Sequence, residues 1–223
     1  MMLVRMWMSD EVITAPPEMP IMEAAELMKR EGIRRLPVVH KGKLVGIVAQ
    51  GDIQEASPSD ATSLSIWELN YLLARITLRE IMTHEVITVS PETPVEEAAL
   101  LMRERKVGGL PVLKDKQLVG IITESDLFEV MIEVMGIRKG GARLTLELED
   151  RPGALAEALD LIKEHEVNVL SVVTCEECPA TPGHGVVVVR LATAEYGPIT
   201  SDLEKAGVKV LDAQLCLPGR QGA

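Results

Sequence analysis

The spacing of apolar residues changes along the chain, and each change predicts an element. Val86-Ile87-Thr88-Val89 is a β-branched run and predicts a strand. Thr93-Pro94-Val95-Glu96 reads as a helix start, with Thr93 as N-cap, Pro94 in the first position and Glu96 closing a capping box. Val95, Ala98, Ala99 and Met102 then recur at helical spacing. Two short apolar runs, Leu110 to Leu113 and Leu118 to Ile122, flank a polar turn and predict paired strands. A last helix is expected near Asp126. The predicted order is β-α-β-β-α.

The same order occurs earlier in the chain. A shift of 74 positions lays Val12 to Met28 on Val86 to Met102, Arg34 to Val39 on Gly108 to Leu113, and Asp52 on Asp126. From Met8 to Ile53 no gap is needed, and about 21 of about 46 columns are identical. Ile21, Ala24, Ala25 and Met28 take the apolar helix positions of the first copy. Duplication follows.

Between the copies, SPSDATSLSIWELNYLLARITLREIMT predicts a connecting helix. Ser65 and Glu68 can form a capping box there. Trp67 and Tyr71 either bridge the copies or contribute to a dimer surface.

After Gly136 the pattern changes again. GIRKGGARL is a Gly- and Lys/Arg-rich joint. Leu144, Leu146 and Leu148 alternate as in a half-buried strand, and Asp150-Arg151-Pro152-Gly153 is a turn. Leu155, Leu159 and Ile162 form a helical stripe. Asn168 to Thr174 and Gly185 to Leu191 are β-rich, Ile199 to Ala206 is a short helix, and Val208 to Leu211 is a last strand. This second order, β-α-β-β-α-β, is a ferredoxin-like plan. The fold class is therefore α+β. The expected segments are 3–57 and 78–135 for the two copies, 58–77 for the connecting helix, 136–141 for the linker and 142–215 for the last domain.

Composition narrows the function. Hydrophobic residues make up 47% and aromatics only 2%, so the core is aliphatic. The net charge of −11 repels phosphate backbones and anionic lipid, which argues against nucleic-acid or membrane binding. No apolar run is long enough to span a bilayer, and MMLVRMWMSDEV lacks a signal-peptide core. Three cysteines do not suggest a disulfide framework, and a cytoplasmic location is expected. No nucleophile–base pair, P-loop or strand-linked G-x-G-x-x-G is found, so no enzyme activity is expected.

The doubled units resemble CBS domains, through the strand ending in Thr, the x-x-L-P-V-V strand, and the G-h-h-T-x-x-D phrase (h apolar), here GIITESDL from Gly120 to Leu127. The resemblance implies two such units packed sheet against sheet, with clefts that take adenosine-containing ligands. At the second unit Thr123 and the helix N-terminus would favour an anion, and Asp126 would accept from ribose hydroxyls. Ile87 and Thr88 would offer backbone groups and apolar wall to adenine, with Gly109 and Pro111 lining the cleft. The alternative is that Thr123 and Asp126 only cap a helix. The first unit has Ala49 in place of Thr123 but keeps Asp52, and Thr14 matches Thr88. It also has Arg34 and Arg35 where the second has Gly108 and Gly109. These arginines are either solvated surface or phosphate ligands, one of which serves the second cleft across the pseudo-two-fold axis. AMP, ADP or ATP is the expected regulatory ligand, with no cofactor required.

LTLELEDRPGALAEALDLIKEHEVNVLSV resembles an ACT domain, with D-R-P-G-A-L its best mark. That implies an amino acid held near Gly153, Asp150 and Asn168, or a purely dimerising role. Cys175-Glu176-Glu177-Cys178, with His184, is a zinc or redox candidate or a plain loop. The order of CBS pair then ACT, with SPSDATSLSIWELNYLLA, resembles acetoin-utilisation (AcuB-type) proteins. The expected function is a regulatory nucleotide sensor, linked by that resemblance to acetoin or acetate metabolism and acting as a homodimer on a target protein the sequence does not name. The alternatives are a dimerising scaffold with no nucleotide, or an amino-acid sensor acting through the ACT domain.

Overall fold

Each repeated unit borrows the segment that precedes the other. In the structure, a computed structural model that describes residues 2–56, 75–175, 178 and 181–217, the chain divides into two compact units, Met1–Leu127 and Phe128–Ala223. The expected connecting helix with Trp67 and Tyr71 lies outside the described residues. In the first compact unit, Val4 N–H donates to Thr93 O at 2.9 Å, Val95 N–H to Met2 O at 3.1 Å, and Ser9 and Ile121 exchange both backbone bonds. At the repeat-related positions, Leu78 N–H donates to Met19 O at 2.9 Å, Ile21 N–H to Ile76 O at 3.0 Å, and Thr83 and Ile47 exchange both bonds. Met8 and Met82 ride on these segments and pack over Gly120 and Gly46, where any Cβ would overlap the methionine sulfur.

Each copy then runs helix, hairpin, helix. The first has α1 (Ile21–Arg30), β1 (Arg35–His40), β2 (Lys43–Ala49) and α2 (Gln50–Ala56). After the short α3 (Leu78–Ile81), the second has α4 (Val95–Arg105), β3 (Gly109–Lys114), β4 (Gln117–Thr123) and α5 (Glu124–Val134), which crosses the boundary between the compact units. Both hairpins carry a register shift at the same place, Val38/Val39 and Val112/Leu113. The predicted apolar stripes are buried at Ile21, Ala24 and Met28, and at Val95, Ala98 and Met102. Ala25 and Ala99 lie at their margin, half-buried. In the first copy Ile21, Ala24 and Met28 make an aliphatic core with Leu36, Val38 and Val48, each large side chain contributing about 1.5–3 kcal/mol.

Two local expectations are corrected. Val86 to Val89 is not a strand but an extended segment with a single parallel bridge, Val89 to Val112, mirrored by Ala15 to Val38. One bridge cannot make a ladder, because the neighbouring backbone groups of Ile87 and Thr88 have no partner among the described residues. The Thr93 capping box is also absent: Pro94 is the N-cap and helix α4 starts at Val95. Thr93 Oγ1 instead accepts from Ser90 N–H at 3.1 Å, and Met2 O satisfies the first helical N–H. A tertiary partner has replaced the local cap.

The second compact unit is the expected ferredoxin-like domain. Its strands are β5 (Gly141–Glu149), β6 (Val169–Cys175), β7 (His184–Leu191) and β8 (Lys209–Cys216), in the antiparallel order β6-β7-β5-β8. Helices α6 (Ala154–Lys163) and α7 (Gly197–Lys205) pack on one face. There Leu144, Leu146, Leu148, Val189 and Leu191 meet Ala158, Ile162, Ile199 and Leu203.

Two buried ions lie on the other face. Arg190 Nε donates to Met135 O at 3.1 Å, placing a cation against the C-terminal end of α5, where the helix dipole favours it. Glu147 accepts from Lys209 Nζ at 2.5 Å and from Thr181 N–H at 2.5 Å. Lys209 first, then Thr181, holds the Glu147 carboxyl at about 2, well below its ordinary 4.5. A carboxylate with a depressed native pKa adds stability that is complete above the unfolded value and lost as pH falls through the folded one. Glu147→Gln is therefore expected to melt below wild type at pH 7, with the gap closing between about pH 4.5 and 2. Thermal unfolding against pH reads this. A gap of constant size down to pH 2 would show that the ion pair contributes nothing.

Candidate ligand sites

The phrase GIITESDL folds as a strand running straight into a helix. Thr123 ends β4 and Asp126 sits in the first turn of α5. Asp126 Oδ2 accepts from Thr123 N–H at 2.7 Å and from Thr123 Oγ1–H at 2.8 Å. In the first copy Asp52 Oδ2 accepts from Ala49 N–H at 2.7 Å, and no hydroxyl accompanies it. The capping use of the carboxylate is therefore real in both copies. It occupies one oxygen, and among the described residues Oδ1 of Asp126 has no hydrogen-bond partner.

The remaining second-copy residues gather around this turn. Gly109 stands opposite Thr123 in the β3–β4 ladder, and Pro111 opposite Ile121. Pro111 O accepts from Val89 N–H at 3.1 Å, which brings Thr88 alongside. Ile87 and Thr88 are half-buried, and their backbone N–H and C=O groups make no hydrogen bond among the described residues. Unspent backbone donors and acceptors beside a partly covered surface are what a flat heterocycle requires. In the first copy Thr14 is exposed, next to the Ala15 bridge.

The two arginines part company. Arg35 begins β1, opposite Ala49, and its side chain reaches across to the second copy. It lies over Gly108 and Gly109, where a Cβ on Gly108 would fall inside the guanidinium, and it approaches Glu124 at 4.0 Å. Its side chain is 25% exposed. Arg34, one residue earlier, lines a groove of about 450 Å³ with Lys29, Gln50 and Gln54 over Met28 and Ile53. Neither Lys29 nor Arg34 has an ion-pair partner among the described residues, and no carboxylate lines this groove. Sequence reading did not single out Lys29, Gln50, Gln54 or Glu124.

In the second compact unit, Gly153 has φ 92° at the start of α6. Asp150 N–H donates to Gly183 O at 2.9 Å, and Asn168 O accepts from Ala192 N–H at 2.9 Å. Arg151 is held by Glu149 at 2.8 Å and Glu157 at 2.6 Å. Its guanidinium keeps the Glu157 carboxyl below the usual range. Arg151 is thus committed within the turn.

The cysteines correct the sequence reading. Cys175 and Cys178 form a disulfide, with Cα atoms 5.4 Å apart, and Cys216 is free. An odd count hid a local pair, because a C-x-x-C turn can close on itself without a framework. Among the described residues no group of three His, Cys, Asp or Glu side chains is placed to hold a metal, and no helix is long and apolar enough to cross a membrane.

Comparison with known proteins adds relatives. The CBS domain model matches residues 4–59 and 78–133, and the TTHA0829-like ACT domain model matches residues 140–214. L-aspartate semialdehyde sulfurtransferase of Methanocaldococcus jannaschii is 35% identical over 127 residues, covering 56% of this chain and 22% of that protein. Inosine-5'-monophosphate dehydrogenase of Korarchaeum cryptofilum is 32% identical over 174 residues, covering 72% and 33%. The chain thus spans a third or less of these curated relatives. Among solved structures, a protein of Vibrio cholerae assigned to acetoin utilization (AcuB) is 31% identical, with 62% of this chain and 96% of that one covered and a TM-score of 0.52. CBSX2 in complex with AMP is 25% identical, with 60% and 98% covered and a TM-score of 0.50.

Proposed function

The chain belongs to the CBS-domain family, with an ACT domain after the pair, and from that premise we propose that it is a regulatory protein whose second repeat takes an adenine nucleotide. One observation carries the reading. Thr123, Asp126 and Gly109 meet at a single turn, the Ile87–Thr88 segment is tied to the same strand through Val89 and Pro111, and Arg35 of the first repeat lies over Gly108 and Gly109. In this reading Asp126 Oδ1 accepts from the ribose diol, the Ile87–Thr88 backbone reads the adenine edge, and Arg35 turns from Glu124 to the phosphate. A 4.0 Å pair with an exposed glutamate is weak, so the exchange costs little. The AMP complex of CBSX2 supports the ligand class.

The first repeat differs in kind. It has no hydroxyl at Ala49, and Arg34 with Lys29 line a groove instead, so the two sites are unequal. A ligand acts as a signal only if it binds two arrangements of the pair unequally. The ACT domain, or a target protein, then reads the difference. The likeness to AcuB supports a role near acetoin or acetate metabolism. The sulfurtransferase and dehydrogenase activities belong to relatives much longer than the match, and this reading assigns no catalysis to the chain.

The bond between Thr123 and Asp126 favours one second reading, in which the turn is only a helix cap and the pair is a scaffold. Thermal unfolding with AMP, ADP, ATP or S-adenosylmethionine separates the two. A ligand at about 100 times its dissociation constant adds roughly 2.7 kcal/mol to the folded state. A raised midpoint with one adenine compound is the expected result. No shift with any of them would leave the scaffold standing.

A further inference from the structure

We propose that Cys175 and Cys178 are a reversible dithiol–disulfide pair that sets how the β6–β7 loop holds Asp150 at the head of the ACT domain's first turn. The cross-link spans a sequence separation of 3, and a ring that short restrains little of the unfolded chain. Its consequence is local. Cys175 is the last residue of β6, an edge strand of the sheet, and both cysteines are half-buried rather than sealed. An external thiol can therefore reach the bond. Cys216 lies on β8, at the opposite edge, so exchange is confined to the C-x-x-C pair.

The loop beyond the disulfide is tied directly to the turn. Thr181 N–H donates to the buried Glu147 carboxylate, His184 N–H to Thr181 O at 2.9 Å, and Asp150 N–H to Gly183 O at 2.9 Å. These bonds tie the end of the loop, Thr181 to His184, to Glu147 and to the first residue of D-R-P-G. His184 stands opposite Glu149, one residue before Asp150, while Cys175 stands opposite Val186. In this proposal, opening the ring releases Cys178 from the end of β6 and loosens all three bonds together.

The chemistry balances with an external dithiol as reductant. Its thiolate attacks one sulfur and breaks the Cys175–Cys178 bond, and the released thiolate takes a proton. The reagent's second thiol then resolves the mixed disulfide and leaves as a cyclic disulfide. Two electrons and two protons pass to the protein, and exchange with a small-molecule disulfide, which takes them back as two thiols, reverses the step.

The test uses the full chain, oxidised or treated with dithiothreitol, with thiol titration under native conditions and hydrogen exchange read at single amides. Oxidised protein is expected to show one thiol, Cys216, and reduced protein all three cysteines. Amides of Asp150 and Thr181 should exchange at least ~10-fold faster after reduction, and slow again on reoxidation. Cys178→Ser should exchange at the reduced rate with or without reductant. Equal rates in the two states would overturn the proposal. So would three reactive thiols in the oxidised protein, or a stoichiometric zinc ion in place of the disulfide.

Discussion

Asp126→Ala is expected to raise the dissociation constant for AMP at least ~10-fold, since a lost hydrogen bond to a charged group is worth about 1.5–3 kcal/mol. The carboxylate has two separable tasks. Oδ2 holds the N–H and hydroxyl of Thr123 at 2.7 and 2.8 Å, and Oδ1 is left to a ligand. Losing the first task alone costs about 1 kcal/mol of stability, as for other helix caps. Calorimetric titration well below the melting midpoint therefore reads the second task cleanly. The first repeat supplies the control. Ala49→Thr adds the hydroxyl that Asp52 lacks, and its effect on AMP affinity should be smaller, because it adds to a partner already bonded through the backbone. Equal AMP affinity in wild type and Asp126→Ala would remove this turn from the site.

Gly141→Ala is expected to lower the melting midpoint of the ACT domain by about 12–24 °C. Gly141 opens β5 at φ 87°, and a Cβ there would press into the carbonyl oxygen of Leu191. That oxygen belongs to β7, which pairs with β5 from Ala142↔Leu191 onward, while β8 pairs along the other side of β5. Neither neighbour can yield without opening a ladder of the central strand. Backbone strain with such a clash costs about 3 kcal/mol or more, and each kcal/mol moves the midpoint by about 4–8 °C in a domain of this size. Gly153 is the contrast. It also has a positive φ, 92°, but its nearest neighbour is the Glu157 carboxylate at 3.7 Å, an ordinary van der Waals contact. Gly153→Ala should therefore cost only about 1 kcal/mol. Circular dichroism melts of both variants decide. Equal midpoints would mean that the close approach at Leu191 carries no strain.

Repeats and periodicity made the architecture readable. The stripes Ile21, Ala24, Met28 and Val95, Ala98, Met102 are buried as their spacing requires, and the alternating Leu144, Leu146 and Leu148 face the helices of the second compact unit. Local signals failed where a distant segment supplied the partner. Thr93 looked like a cap, but Met2 satisfies the helix instead. Val86 to Val89 looked like a strand, yet only Val89 finds a bridge. β-branched residues favour extended backbone, and they do not by themselves bring a neighbour within hydrogen-bond reach.

The sequence by itself determined the duplication, the element order, the aliphatic core and the inequality of the A-x-x-D and T-x-x-D phrases, because each depends on residue type at fixed spacing. Tertiary structure decided which copy each preceding segment serves, where Arg34 and Arg35 diverge, and what Gly108 and Gly109 are for. Arg35 is the first residue of β1 and Arg34 lies just before it, so the two adjacent arginines serve different places. One reaches the other repeat only because a glycine pair leaves room for it.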